Sequence, residues 1–205
     1  MRLLPVCVYS GQHYTRVENE GTRMTHHDKV FHGSVEELRA PQRVALLELP
    51  RVKKLCLDGI RVHSVLDIGT GSGLILERFL TPKQTGVGTD ISLPMLHAAR
   101  ALVPDALFCA CSAHALPFAD GSFDLVMLGH VLHEVEDQTA TLHEIRRVAR
   151  TRVIALEWPY THEEMGPPLH HRLQPAHVVA AAKDAGFRRV GSAALKHTML
   201  FAFDV

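Results

Sequence analysis

The sequence has no excess of charge of either sign and no long run of apolar residues. Its 205 residues include 22 Lys and Arg against 22 Asp and Glu, so it lacks the basic balance typical of proteins that bind nucleic acid. All of its apolar runs are well short of the roughly 20 residues that a membrane-spanning helix requires. We therefore expect neither a nucleic-acid partner nor a membrane span.

Cysteine is also scarce, and its pattern does not indicate a disulfide framework. The sequence has 4 cysteines, and two of them, Cys109 and Cys111, alternate along one predicted strand. They share a face of that strand but lie too far apart for an ordinary bridge. Residues 1–8 lack the basic start and the small-residue cleavage site of a signal peptide. We expect reduced thiols in a cytoplasmic protein.

Histidine is abundant, with 15 residues, but its spacing does not predict a metal site. Zinc sites combine histidine and cysteine ligands at short, regular separations. The clustered histidines have other spacings and no neighbouring cysteines, and they stand at positions 26, 27, 32, 170 and 171. We therefore predict that the chain holds no metal ion.

The most informative segment begins with an apolar stretch, Ser64 to Ile68, that carries one acid, Asp67. The stretch runs into Gly69-Thr70-Gly71-Ser72-Gly73, and a new apolar pattern starts at Leu74. This order predicts a buried strand, a tight glycine turn and the first turn of a helix. Three glycines at alternate positions indicate that a ligand lies against the backbone, because a plain strand-to-helix turn needs only one glycine.

The spacing of these glycines separates two classes of nucleotide site. In the dinucleotide fingerprint the third small residue would fall at position 74, which is Leu74, whereas the third glycine comes one place earlier, at Gly73. An NAD-dependent oxidoreductase is therefore the less favoured alternative. The string D-x-G-x-G-x-G after a strand resembles motif I of the class I S-adenosylmethionine-dependent methyltransferases.

A second acid fits that resemblance. Gly86 to Asp90 reads as a short strand that ends in a carboxylate, which can accept hydrogen bonds from both hydroxyls of a ribose. Ser92 can cap the helix that follows, and Pro94 is tolerated in its first turn. In the resembled family an apolar residue just past the acid packs on adenine, a role that the resemblance gives to Ile91 and Met95.

A third motif makes the resemblance more specific. The stretch from Cys111 to Val126 contains Leu-Pro-Phe and then, after a turn, Ser-Phe-Asp-Leu-Val, as the family does. The family usually has an aspartate that binds the adenine amino group where this chain has Ser112. Serine can accept one hydrogen bond without the charge, and the backbone near Ala113 is a further adenine contact.

The resemblance covers residues 24–205 and is nearest to the ubiquinone/menaquinone C-methyltransferase-like branch. An acid and a tryptophan at a strand tip, Glu157-Trp158, and the turn Gly166-Pro167-Pro168 belong to it. It implies S-adenosylmethionine as cofactor, S-adenosylhomocysteine as product and a small-molecule methyl acceptor. Whether carbon, oxygen or nitrogen is methylated stays open. Residues 1–23 read as an N-terminal extension.

Strands and helices alternate through this domain. We predict strands near 64–68, 85–90, 106–111, 123–128, 152–157, 187–192 and 196–203, and helices near 72–80, 93–103, 137–150 and 175–185. Alternation predicts a mostly parallel sheet between helical layers, with right-handed crossovers. The fold class is thus α/β, a Rossmann-like three-layer sandwich of seven strands. By resemblance its last strand is antiparallel.

Acceptor chemistry is expected in the loop after the fourth strand, Gly129 to Glu134. His130 and His133 are the predicted catalytic residues, with Glu134 and Glu157 as other possible bases. A packing role for either histidine, and a non-catalytic S-adenosylmethionine-binding regulatory protein, remain alternatives. The predicted cofactor-binding residues are Asp67, Gly69, Thr70, Gly71, Gly73, Asp90, Ile91, Met95, Ser112, Ala113 and Gly129.

Overall fold

The computed structural model describes residues 33–205, which form one sheet between two layers of helices. Its strands are β1 (Ser64–Ile68), β2 (Thr85–Asp90), β3 (Leu107–Ala110), β4 (Phe123–Gly129), β5 (Ala149–Glu157), β6 (Arg189–Ala194) and β7 (Met199–Asp204). Its helices are α1 (Val35–Arg39), α2 (Pro41–Leu46), α3 (Leu49–Leu57), α4 (Leu74–Phe79), α5 (Leu93–Leu102), α6 (Gln138–Val148) and α7 (Pro175–Asp184).

The seven strands lie in the order β3-β2-β1-β4-β5-β7-β6. Strands β1 to β5 pair in parallel, and β7 is antiparallel to both of its neighbours, β5 and β6. The predicted fold class is therefore confirmed, including the antiparallel last strand. The predicted division into an extension, 1–23, and a domain, 24–205, stays a prediction, because residues 1–32 lie outside the described part.

Alternation along the central strands builds two apolar cores. On β1 and β4, Val65 and Leu125 face one side, where they pack with residues of α3, α4 and α5. Leu66 and Val126 face the other side and pack with residues of α6 and α7. Each central strand is therefore buried on both faces, which explains why these segments read as continuous apolar runs.

Local signals in the sequence explain most of the helix boundaries. Ser34 and Glu37 form a capping box at α1, and Ser92 caps α5 with Pro94 in the first turn. Helix α7 is followed by Gly186 at φ +86°, as expected of a helix end. One boundary prediction was too generous, because α4 begins at Leu74, where Gly73, at φ +75°, ends the left-handed turn.

The parallel strands bring their carboxyl ends to one edge of the sheet. Ile68 pairs with Thr89 and Leu128, and Gly129 pairs with Leu156, so the loops after β1, β2, β4 and β5 start side by side. Ligands of such sheets bind outside these ends.

Candidate active site

The loop after β1 contains three glycines, so its backbone is not covered by side chains of its own at these positions. Gly69, Gly71 and Gly73 have φ values of +63°, +52° and +75°, which favour glycine at all three positions. A Cβ on Gly69 would lie 2.4 Å from Cγ2 of Val131. The third glycine serves packing, because a Cβ on Gly73 would meet α5 at Cγ2 of Val103 and Cβ of Ala99.

Asp67 and Thr70 lie behind this loop. Oγ1 of Thr70 donates a hydrogen bond to Oδ2 of Asp67 over 2.7 Å, and both residues are buried. The N–H of Thr70 also donates to the carbonyl oxygen of Thr89 on β2. Burial raises the pKa of Asp67 to about 7. Three predicted site residues do not line the large cleft described next, namely Asp67, Thr70 and Gly73. Asp67 and Thr70 instead support the shape of the loop.

A cleft of about 1620 Å³ opens above the carboxyl ends of the strands. The remaining predicted site residues line it together, namely Gly69, Gly71, Asp90, Ile91, Met95, Ser112, Ala113, Gly129, His130 and His133. The structure thus brings to one cavity ten residues that are far apart in the sequence. Among residues 33–205, no group of three or more histidine, cysteine, aspartate or glutamate side chains could hold a metal ion.

Asp90 stands at the tip of β2, where its carboxylate is held by backbone. Oδ2 accepts from the N–H of Gly71 over 2.9 Å, and Oδ1 accepts from the N–H of Ser92 over 2.8 Å. Burial raises the pKa of Asp90 above its usual value, while the backbone donors oppose that change. A carboxylate has about four lone-pair sites, so Asp90 keeps capacity to accept a hydrogen bond from a ligand beside these backbone donors.

Next to Asp90 the wall is apolar and open. Ile91 is 64% exposed, an unusual exposure for a large apolar side chain, and Met95 lies on the same wall. Ser112 and His114 also line the cleft, and the hydroxyl of Ser112 lies 2.8 Å from Nδ1 of His114.

The loop after β4 carries a buried couple. Nδ1 of His133 lies 2.7 Å from Oε2 of Glu157, at the end of β5. The other oxygen, Oε1, accepts from the backbone N–H groups of Leu132 and His133. Desolvation lowers the pKa of His133, but the hydrogen bond and charge of Glu157 outweigh it, and the pKa lies above the usual value.

His130 has a different environment. Its φ is +60°, and its ring stacks on Trp158 with centroids 4.4 Å apart and planes 13° from parallel. Nη2 of Arg43, on α2, lies 2.8 Å from Nδ1 of His130. Burial, together with the nearby charge of Arg43, holds the pKa of His130 well below its usual value. Non-glycine residues with positive φ are uncommon and concentrate at functional sites.

Trp158 also lies against a loop that one arginine organises. The guanidinium of Arg172 donates to the carbonyl oxygens of Pro159, Thr161, Met165 and Pro167, at distances from 2.8 to 3.1 Å. The same guanidinium lies 5.7 Å from the Trp158 ring centroid. The cleft wall formed by Trp158 and the segment 165–168 therefore has a defined position.

Sequence reasoning did not find Arg43 or Arg172. Nothing near either residue signals its role, because Arg43 reaches across 87 positions to His130, and the carbonyls that Arg172 binds have no sequence signature. Glu157 was named as a possible base, and its position beside His133 is a long-range contact of the same kind.

The fold and the position of the cleft match what the sequence resemblance predicts, and the chain is similar to known methyltransferases. Residues 66–156 match the family model described as a methyltransferase domain. Over these residues the chain is similar to the class I S-adenosylmethionine-dependent methyltransferases. A solved structure described as an S-adenosylmethionine-dependent methyltransferase from Aquifex aeolicus has a similar fold, with a TM-score of 0.75, 23% identity and coverage of 83% of this chain and 96% of that one.

Two curated relatives are both named demethylmenaquinone methyltransferase. The one from Roseiflexus sp. (strain RS-1) is 43% identical over 89 residues, which are 42% of this chain and 37% of the relative. The one from Renibacterium salmoninarum is 32% identical over 120 residues, which are 57% of this chain and 51% of the relative. The matched regions thus span about half of these relatives or less. In the described residues, 33–205, no helix is long and apolar enough to cross a membrane.

Proposed function

We propose that the chain binds S-adenosylmethionine along the glycine loop and transfers its methyl group to a small-molecule acceptor at the Trp158 end of the cleft. One observation carries this proposal: His133, whose imidazole is paired with the buried Glu157, lines the same cleft as the backbone of Gly69 and Gly71. A glycine loop and an imidazole oriented by a carboxylate behind it therefore meet at one cavity.

The residues of the cleft fit the cofactor. Gly69 and Gly71 leave room for close approach to the backbone, Asp90 can accept the ribose hydroxyls, and Ile91 with Met95 offers an apolar surface to adenine. When bound, S-adenosylmethionine supplies an electrophilic methyl group on a cationic sulfur. The protein's part is to align the acceptor and, for an oxygen or carbon acid, to remove a proton.

We propose that His133 is the base that removes the proton from the methyl acceptor. A carboxylate only accepts, so Nδ1 of His133 donates to Oε2 of Glu157, and in the neutral ring Nε2 then carries the lone pair. Glu157 orients the imidazole and stabilises the imidazolium that forms when Nε2 takes a proton from the acceptor. His130 is the weaker candidate for the base, because Arg43 already donates to its Nδ1.

For the acceptor we propose a quinol-type ring methylated at carbon. The names of the two curated relatives support this, as do the apolar side chains that line the cleft, which include Leu38, Leu46, Val131, Val135 and Met165. The cleft, at about 1620 Å³, exceeds the roughly 300–1,000 Å³ of ordinary ligand pockets, and so has room for an acceptor beside the cofactor.

The test is a transfer assay with methyl-labelled S-adenosylmethionine and a 1,4-naphthoquinol. Of the two ring carbons between its oxygen-bearing carbons, one carries an alkyl group and the other carries hydrogen. We expect label on that carbon, and no transfer to the matched naphthoquinol in which the carbon is already methylated. Label on oxygen would contradict the carbon assignment and leave the methyltransferase assignment intact. Absence of transfer to a wide panel of phenols, amines and thiols would contradict both.

A further inference from the structure

The contact between Arg43 and His130 determines where the imidazole proton sits. A guanidinium has donors only, so a hydrogen bond from Nη2 of Arg43 to Nδ1 of His130, 2.8 Å away, requires a lone pair on Nδ1. The proton of the neutral ring must then be on Nε2. Protonation of Nδ1 would break this contact and place two cations together, which agrees with the lowered pKa of His130. His130 is therefore neutral and carries an Nε2–H.

The ring is held rigidly in that state. Trp158 stacks against it at 4.4 Å, and the guanidinium of Arg43 lies 5.2 Å from the centroid of the same indole. The backbone of His130 is in the left-handed region, at φ +60°, and its N–H donates to the carbonyl oxygen of Leu156 over 2.8 Å. Ring orientation and tautomer are thus set by neighbours on α2 and β5.

The donor that this arrangement creates has no protein partner. Nε2 of His130 is buried and makes no hydrogen bond within residues 33–205, while the ring itself lines the cleft. Burying an unsatisfied N–H costs free energy, and such groups in native proteins commonly mark a ligand contact. Since His133 presents a lone pair to the same cleft, the two histidines offer opposite hydrogen-bonding character.

We propose that the Nε2–H of His130 binds an oxygen atom of the methyl acceptor, and that Arg43 is the positioning residue that keeps this donor neutral and correctly oriented. The inference rests on the proposed methyl transfer and narrows its acceptor to molecules with an oxygen that accepts a hydrogen bond, such as a phenol, phenolate, carbonyl or enolate oxygen. A ligand whose polar group is an ammonium alone has no lone pair with which to accept this bond.

The tautomer is tested without any substrate. In the ¹⁵N-histidine spectrum of the full chain, His130 should show the neutral Nε2–H form at every pH between about 5 and 8, a range in which ordinary histidines titrate. Arg43→Met removes the donor that requires a lone pair on Nδ1, so the Nδ1–H tautomer should appear beside the Nε2–H form. Arg43→Lys retains the charge without the guanidinium geometry and should also give a mixture of tautomers. An Nδ1–H form or a protonated ring in the wild-type protein would overturn the proposal.

The ligand contact is tested with two probes of the same shape, 1-naphthol and naphthalene, titrated against the protein in the presence of S-adenosylhomocysteine. We expect 1-naphthol to bind about tenfold more tightly, the value of one hydrogen bond to a buried donor, and to shift the Nε2–H resonance. His130→Asn tolerates positive φ and retains an N–H donor, so it should keep part of this preference, whereas His130→Ala should lose it.

Equal binding of the two probes, or no binding of 1-naphthol, would overturn the proposed contact. Binding of S-adenosylhomocysteine is measured in the same samples by calorimetry. This measurement distinguishes failure of the proposed function from failure of the proposed contact between His130 and the acceptor. If the nucleoside fails to bind while His130 still shows the Nε2–H form, the proposed function fails. If the nucleoside binds and the probe preference is absent from the wild-type protein, only this further inference fails.

Discussion

His133 and Glu157 share a short hydrogen bond, 2.7 Å from Nδ1 to Oε2, in a place where both side chains are almost fully buried. The backbone N–H groups of Leu132 and His133 hold the remaining carboxylate oxygen, so the couple has one rigid geometry. It is the arrangement in the cleft that is best suited to accept a proton.

The first prediction concerns the pH dependence of transfer. A base works when deprotonated, so the rate should rise with pH, with a midpoint above about 6.5, because Glu157 raises the pKa of His133. Glu157→Gln removes that charge and should move the midpoint to lower pH. His133→Ala should lower kcat by about 10²-fold or more.

The control for this series is Glu163→Gln, a change of equal charge at an exposed position on the 158–168 segment. It should leave both the midpoint and kcat unaltered. A midpoint that stays in place in Glu157→Gln would show that His133 is not the titrating base.

The second prediction concerns the ribose. Asp90→Ala should weaken the binding of S-adenosylhomocysteine by about 10²-fold, the value of one or two hydrogen bonds to a charged group. Since Asp90 also holds the N–H of Gly71, a loop effect must be separated from the ribose contact. The ratio of affinities for the nucleoside and its 2′-deoxy analogue, measured by calorimetry, does so.

In the wild-type protein we expect the 2′-deoxy analogue to bind more weakly, and in Asp90→Ala the two ligands should bind alike. Asp105→Asn, at an exposed site before β3, serves as the matched surface change. A preference for the 2′-hydroxyl that survives in Asp90→Ala would remove Asp90 from the ribose site.

The third prediction compares two glycines with similar backbones. Gly59, at φ +74°, has nothing within 4 Å of an added Cβ, whereas on Gly69, at φ +63°, the Cβ would lie 2.4 Å from Cγ2 of Val131. Gly59→Ala should therefore cost only the backbone term, about 1–2 kcal/mol in the free energy of unfolding. Gly69→Ala should cost about 1–3 kcal/mol more, through overpacking.

Denaturant titration of the two variants measures this difference. Adding Val131→Ala to Gly69→Ala should recover part of the extra loss, because it removes the side chain that clashes. Equal stability of Gly59→Ala and Gly69→Ala would mean that the loop after β1 has a looser structure than described.

The fourth prediction concerns Arg172. Replacing it with Met removes its bonds to four carbonyl oxygens and should destabilise the 158–171 loop that positions Trp158. We expect KM for the acceptor to rise about tenfold or more, because Trp158 would no longer be held in the position that orients the acceptor. The affinity for S-adenosylhomocysteine should stay within about twofold, since Asp90 and the glycine loop are untouched.

Arg189→Met, on the exposed edge strand β6, is the matched loss of an arginine and should change neither quantity. An equal loss of acceptor and cofactor binding in Arg172→Met would indicate general unfolding and would contradict the assignment of the Trp158 wall to the acceptor.

Much of the fold could be predicted because its signals are local. Strand β1 runs from Ser64 to Ile68 as the apolar stretch indicated. A strand that is buried on both faces has a nearly continuous run of apolar residues, which is visible in the sequence. The start of α4 was misplaced by two residues, because Gly73 is in the left-handed region at φ +75° and the helix begins only after it. Strand β5 begins at Ala149, three residues earlier than expected, since α6 ends at Val148 and passes directly into it.

The candidate site was predictable only where a motif is contiguous. The glycine loop and Asp90 each follow a strand end, and the topology brings such ends together. By contrast, the protonation states of His130 and His133 depend on Arg43 and Glu157, which are distant in sequence. Two histidines three positions apart look equivalent in the sequence, and their partners make one a donor and the other an acceptor.

The most direct test of the central claim is calorimetric titration of the full chain with S-adenosylhomocysteine and, separately, with NAD. We predict saturable binding of S-adenosylhomocysteine at a single site, strongly weakened by Asp90→Ala, and no binding of NAD. Binding of NAD without binding of S-adenosylhomocysteine, or binding of neither, would contradict the account.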